Sequence, residues 1–287
     1  MENMIEVKSL IKSYGDNEVL KGISFEVKKG EIFALLGTNG AGKTTTLECI
    51  EGIRKYQSGE IKVNGKMGVQ LQSSSLPQHI KAHEAVKLFA KWGGAAVDNV
   101  LLDRLGFEEI RNKAYKDMST GQKRRLHLLL ALTGDPEIVF LDEPTAGLDV
   151  EGRSALHDEI RALKSEGKTV ILASHDMAEV ESLCDRIAIL KDGIIVFIGT
   201  AGELTAQVSD TFKVMVRLTS PIAFDSLKHC AFTGTHQGYD TFETGSLEDG
   251  LSELLAAAKR DGAHVRDLKI EHASLEQRFL DIAKEGK

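Results

Sequence analysis

Between the apolar run Ile32-Phe33-Ala34-Leu35-Leu36 and the helix-like Thr46-Leu47-Glu48-Cys49-Ile50 lies a short stretch whose residue types could do chemistry: Gly37-Thr38-Asn39-Gly40-Ala41-Gly42-Lys43-Thr44-Thr45. Glycines at 37, 40 and 42 let backbone N–H groups converge on an anion with no Cβ in the way. The helix that follows adds the positive end of its dipole. Lys43 can then reach the outer phosphates of a nucleoside triphosphate, and the Thr44 hydroxyl can ligate Mg²⁺. The stretch therefore nominates Gly37, Asn39, Gly40, Ala41, Gly42, Lys43, Thr44 and Thr45 as a phosphate cradle. The alternative is an ordinary glycine-rich turn, and the strand before it and helix after it argue against that.

A second constellation is Ile138-Val139-Phe140-Leu141-Asp142-Glu143-Pro144, an apolar strand ending in two acids. A parallel strand would deliver that end beside the loop. Asp142 suits Mg²⁺, and Glu143 is left to orient or deprotonate a water attacking the γ-phosphate. A third is Met118-Ser119-Thr120-Gly121-Gln122, which heads Lys123-Arg124-Arg125-Leu126 and the apolar Leu128-Leu129-Leu130-Ala131-Leu132. Serine and glycine at the head of a buried helix make a second anion site. One chain needs a single γ-phosphate site, so the second points to the nucleotide of another copy; the alternative is a simple helix N-cap with no ligand.

These residues require a frame to position them. Ile5–Tyr14 and Val19–Val27 read as strands around Gly15-Asp16-Asn17, and Asn64-Gly65 between Glu60–Val63 and Lys66–Val69 is a type I′ hairpin signal. From about 79 to 131 the pattern turns helical, with Ala85, Leu88, Phe89 and Trp92 spaced for one helix face. Strand and helix then alternate, which predicts βαβ crossovers and a largely parallel sheet behind the loop. Its elements are Ile138–Leu141, Val150–Glu166, Thr169–Ser174, Met177–Leu183 and Ile187–Leu190, with a last strand at Ile194–Ile198 after Asp192-Gly193. Beyond a short helix at Ala201–Val208, strands at Phe212–Leu218 and Val265–Ile270 and helices at Leu247–Arg260 and Leu275–Ala283 read as a small α+β unit. The expected domains are 1–208, with a helical subdomain at about 79–131, and 209–287.

Composition narrows the class. With 287 residues, 42% hydrophobic and 28% charged, the chain has material for a main core and a smaller one. A net charge of −7 argues against nucleic acid as partner. Cys49, Cys184 and Cys230 have neither metal-like nor paired spacing and read as small core residues in a reducing cytosol. Met1-Glu2-Asn3-Met4-Ile5-Glu6 lacks the basic and apolar regions of an export signal, and no apolar run reaches the ~20 residues of a membrane helix.

Together, the loop, Ser119-Thr120-Gly121-Gln122, Leu141-Asp142-Glu143-Pro144-Thr145, Ala146-Gly147-Leu148-Asp149 and Ala173-Ser174-His175-Asp176 resemble the ATP-binding cassette ATPases of ABC transporters, from about Ile5 to Gly199. The resemblance implies an α/β fold. Its parts would be a P-loop NTPase (RecA-like) core with an antiparallel β subdomain and a helical subdomain, here followed by the small C-terminal α+β domain. It also implies ATP and Mg²⁺, and a head-to-tail homodimer with each ATP between one copy's loop and the other's Ser119, Gly121 and Gln122. Residue by residue, Tyr14 matches an adenine-stacking aromatic, and Gln72 the glutamine that senses Mg²⁺ and the attacking water. Gln70 is a rival for that position. Asp149 matches a loop acid contacting the opposite copy, and His175 the γ-phosphate switch. Three positions depart from the pattern. Thr38 and Val150 stand where proline is frequent, and Thr120 replaces the first glycine of the usual signature pair. If Thr120 had to adopt φ > 0, its side chain would carry a steric cost.

The short interval from Lys43 to Ser119 leaves no room for long coiled coils, and one cassette per chain disfavours twin-cassette translation factors. A transporter ATPase is the better reading, held at the inner face of the cell membrane by a separate polytopic permease. Ala273-Ser274-Leu275-Glu276-Gln277-Arg278-Phe279-Leu280 looks like the ending of ATPases from bacterial exporters of drugs, polysaccharides, lipids or ions, although an amphipathic packing helix fits as well. The alternatives are a soluble ATP-dependent regulator and an importer ATPase.

Overall fold

The computed structural model describes residues 2–70, 76–94, 98–206, 212–222 and 227–272. The chain divides into two compact units, Met1–Thr200 and Ala201–Lys287, so the first ends short of the 208 expected from the sequence.

In the first unit β1 (Asn3–Tyr14) and β2 (Asn17–Lys28) pair antiparallel. The fully buried β3 (Ile32–Leu36) leads through the glycine-rich loop into α1 (Lys43–Ile50). Next come β4 (Ser58–Val63) and β5 (Met67–Gln70), and here the structure corrects the sequence reading. The two strands flanking Asn64-Gly65 form no hairpin. β4 pairs antiparallel with β1, Val63 opposite Ile5, while β5 joins another sheet. The turn chemistry is diverted by long-range partners: Asn64 donates its backbone N–H to Met4 O at 2.8 Å and its side-chain amide to Asn3 O at 2.9 Å.

The helical subdomain follows as α2 (Ala82–Gly93), α3 (Asn99–Arg104), α4 (Phe107–Ile110) and α5 (Thr120–Leu132). Along α2, Ala85 is buried and Phe89 partly so, but Leu88 is exposed and Trp92 is 73% exposed, so the expected stripe is covered only in part. The crossovers then run β6 (Ile138–Asp142), α6 (Val150–Ser165), β7 (Thr169–Ser174), α7 (Met177–Leu183), β8 (Arg186–Lys191) and β9 (Ile194–Gly199). The six-stranded sheet has the order β5-β6-β7-β3-β8-β9, parallel throughout except for β9. Period-2 alternation gives it two apolar faces. Val139, Leu141, Val170 and Leu172 pack with the α5 leucines, whereas Phe33, Leu35, Phe140 and Ile171 pack with Leu47 and Ile50 of α1 and with β1 and β2.

Gly68 is where α5 presses on the sheet. A Cβ built there would lie 2.1 Å from Ala131 O and 2.8 Å from Pro136 Cγ. Backbone cannot yield as a flexible side chain does, so Gly68→Ala is expected to cost about 2 kcal/mol of stability. The check is a lower urea midpoint with unchanged m-value.

The second unit comprises α8 (Ala201–Ala206), β10 (Phe212–Leu218), β11 (Ala231–His236), β12 (Tyr239–Thr244), α9 (Leu247–Arg260) and β13 (Val265–His272). Its sheet is antiparallel, order β11-β12-β10-β13, with Val214, Val216 and Phe242 packed on Leu254 of α9. α9 is delimited as its sequence suggests: Ser246 caps it by accepting from Asp249 N, acids occupy its first turn, and Lys259 and Arg260 its last. β11 and β12 are additions to the sequence reading. The residues 273–280 and the helix expected at 275–283 lie outside the described residues. So does Gln72.

Candidate functional site

Three adjacent strands, β6, β7 and β3, end on one edge of the parallel sheet, the edge where such sheets hold ligands. β3 delivers the glycine-rich loop, β6 delivers Asp142 and Glu143, and β7 delivers Ser174 and His175. Gly42 caps α1 with φ +109°, and a Cβ there would meet the Leu20 side chain at 2.7 Å, so glycine is required both for conformation and for space. Beside the loop opens a cleft of about 470 Å³ lined by Val19, Asn39, Gly40, Gly42, Lys43, Thr44, Thr45 and Glu143.

Lys43 is buried and curls back, donating from Nζ to Gly37 O at 2.8 Å, with Glu143 Oε1 at 3.9 Å. Burial pushes its pKa below the usual lysine value, an effect opposed by the charges of Glu143 and Asp142. Thr44 Oγ1 donates to Asp142 Oδ2 at 2.8 Å. The other Asp142 oxygen is buried with no hydrogen-bond partner, and burial holds this carboxyl above its ordinary range. An orphaned anionic oxygen next to a hydroxyl fits a hard divalent cation.

Glu143 has φ +49°, a left-handed backbone that side chains seldom adopt. Its N–H is tied to Ala173 O at 2.9 Å, and both carboxylate oxygens lie 2.8 Å from His175 Nδ1. The imidazole is 59% exposed, so one of its faces is open while Nδ1 is held by the acid. Backbone strain at a reactive position is a common mark of function.

Elsewhere in the unit, Ser119 caps α5, accepting from Gln122 N at 3.2 Å while the Gln122 side chain reaches back to Ser119 N. Asp149 caps α6, accepting from Gly152 N at 2.8 Å. Ser119, Gly121, Gln122 and Asp149 share a separate cleft of about 440 Å³ with Arg104, Arg124 and Arg125. Thr120 is the first residue of α5 and does not have positive φ, so its side chain costs nothing in backbone strain. Tyr14 is 42% exposed, with Lys12 Nζ at 4.6 Å and the Arg54 guanidinium at 5.6 Å from its ring centre. Gln70 ends β5 opposite Leu141 and is buried, its amide without a partner. Glu51, missed in the sequence, caps the far end of α1: burial, with the charges of Asp142 and Glu48, pushes its carboxyl up to about 7. Among the described residues no group of three or more His, Cys, Asp or Glu is arranged to hold a metal by itself.

A glycine-rich loop whose lysine faces the two acids at the end of β6, all at the carboxyl edge of a parallel sheet, defines a P-loop nucleoside triphosphatase. The family described as ABC transporter matches residues 20–146. Over nearly the full length the chain is 32% identical to the linearmycin resistance ATP-binding protein LnrL of Bacillus subtilis (strain 168), covering 97% of this chain and 98% of that protein. It is 30% identical to the daunorubicin resistance ATP-binding protein DrrA3 of Streptomyces coeruleorubidus, covering 98% and 96%. A solved ATP-binding subunit of an ABC transporter superposes with a TM-score of 0.66 at 28% identity, covering 71% of this chain and 92% of that one. The chain belongs to the ABC transporter family. It is an ATP-binding, ATP-hydrolysing subunit of an ABC transporter.

Proposed function

We propose that two copies of this subunit close head to tail around two ATP molecules and that hydrolysis reopens them, driving export through a separate membrane protein. The observation that carries this reading is the division of the site. The loop with Lys43, Thr44 and Glu143 lines one cleft, with Asp142 bonded to Thr44 and His175 to Glu143 beside it, and Ser119, Gly121, Gln122 and Asp149 open on another. Each set is half of what one nucleotide needs. In this reading the loop amides and Lys43 bind the phosphates, Tyr14 stacks on adenine, and Thr44 and Asp142, with Gln72, hold Mg²⁺. Bound Mg²⁺ would supply charge neutralisation at the β- and γ-phosphates. Glu143 takes the proton of the attacking water, and His175, steered by Glu143 through Nδ1, presents its remaining edge to the γ-phosphate. Export is supported by relatives named for it, such as the Nod factor export ATP-binding protein I of Burkholderia orbicola (strain AU 1054), 37% identical over 66% of this chain and 68% of that protein, and it is compatible with the two full-length relatives named for drug resistance.

The division of the site predicts complementation. Lys43→Ala disables a loop and Ser119→Arg blocks the opposite half, so neither variant alone should hydrolyse ATP. Mixed, they should recover about a quarter of native turnover, the statistical share of intact sites when copies pair at random. A mixture as inactive as its components would place the whole site within one copy.

A further inference from the structure

Beyond the residues that face the nucleotide, a buried carboxylate and two side chains of one helix connect Asp149 to His175. Asp149 caps α6, and Arg153 and His157 follow at four and eight residues, on the same face of that helix. Both reach the segment that carries His175. Arg153 donates to Asp176 Oδ2 at 2.9 Å. His157 Nε2 lies 3.4 Å from Oε1 of Glu179, a residue only 2% exposed on α7. The second oxygen of Glu179 accepts from Ser174 Oγ at 2.6 Å, and that same Oγ accepts from Asp176 N at 3.0 Å. Asp176 Oδ1 in turn accepts from Glu179 N at 3.2 Å. The two neighbours of His175, Ser174 and Asp176, are thus each held from α6, one through Glu179 and one directly. Neither His157 Nε2 nor Glu179 Oε1 makes a hydrogen bond, so the link between them is a close polar approach of two buried atoms at 3.4 Å.

We propose that Glu179, His157 and Arg153 are positioning residues that make α6 a lever between Asp149 and His175, so that contact of the partner copy with Asp149 sets the position of His175 against Glu143. The proposal rests on the two-copy reading given above. A helix transmits displacement along its axis with little deformation, and two links four residues apart fix the switch segment against both translation and rotation. The buried Glu179 carboxyl explains why the links end where they do: a polar group in the interior is costly without polar partners, and Ser174 donates to one of its oxygens while His157 approaches the other.

The experiment uses the full chain. His157→Leu should lower kcat roughly tenfold, the scale of a displaced catalytic group, while KM for ATP stays within about twofold. Introduced together with Glu143→Gln, it should leave the ATP-driven dimer, read by light scattering, as stable as with Glu143→Gln alone. His157→Gln, which keeps a donor near Oε1, should restore most of the turnover, and Arg153→Gln, at the exposed end of the linkage, should show the same split of kcat from KM without a folding defect. Native kcat in both His157→Leu and Arg153→Gln, or turnover and dimerisation falling together, would overturn the lever. If Glu143→Gln alone stays monomeric with ATP, the two-copy reading fails instead, a result the lever variants cannot mimic.

Discussion

Glu143→Gln lowers kcat for ATP by a factor of roughly 10²–10⁴, the contribution of a positioned general base, while ATP binding survives and the ATP-bound protein accumulates as a dimer. The substitution is nearly isosteric, so the left-handed turn at 143, the backbone bond to Ala173 O and a hydrogen bond to His175 can all persist. What disappears is the capacity to accept a proton. The groups that grip phosphate, Lys43 and the loop amides, are untouched, and Lys43 loses one of the two carboxylates that raise its pKa while keeping Asp142. The expected signature is therefore slow single-turnover hydrolysis with unchanged nucleotide affinity, together with a mass by light scattering that doubles on adding ATP. A variant that hydrolyses at the native rate would remove Glu143 from the chemistry and leave the proton to another acceptor.

Much of this geometry is legible in the sequence because it is local. α7 and α9 begin and end where capping residues and apolar periodicity put them, and the loop between Leu36 and Lys43 is specified by its glycines. The sequence reading fails where a distant partner decides. Asn64-Gly65 has hairpin chemistry, yet Met67 finds Ile138 and Val63 finds Ile5, because β6 and β1, far away in sequence, offer those strands an edge to pair with. β11, with Thr-Gly-Thr at its centre and mostly exposed, carries no apolar alternation and exists because β12 offers an edge. In the site, residue types announced Lys43, Asp142 and Glu143, and the family resemblance added His175. Nothing in the one-dimensional pattern announces that Glu143 adopts positive φ, that Arg153 and His157 meet the His175 segment, or that Glu51 is buried within electrostatic reach of Asp142. Those are consequences of three strands ending side by side.

Glu51 gives the second large effect, and it is a pH dependence. Its carboxyl lies behind α1 with one oxygen buried and unpartnered, and burial followed by repulsion from Asp142 and Glu48 raises it from 4.5 to about 7. The folded state thus holds this proton more tightly than the unfolded chain does. Below pH 4.5 both states are protonated and the group contributes no difference. As pH rises from 4.5 to about 7 the unfolded chain releases the proton first, so stability falls, and above that window the full penalty of an ionised buried acid remains. Each tenfold difference in proton affinity between the folded and unfolded states is worth about 1.4 kcal/mol, which puts the penalty at about 3 kcal/mol. Glu51→Gln keeps the shape and removes the charge, so it should match the native protein in acid and exceed it by about 3 kcal/mol at about pH 8 in metal-free buffer, read as urea midpoints at each pH. Adding Mg²⁺ should narrow the gap, since a cation at Asp142 cancels the repulsion that holds Glu51 protonated. Parallel pH curves for the two proteins would mean that Glu51 ionises in the folded protein as readily as in the unfolded chain.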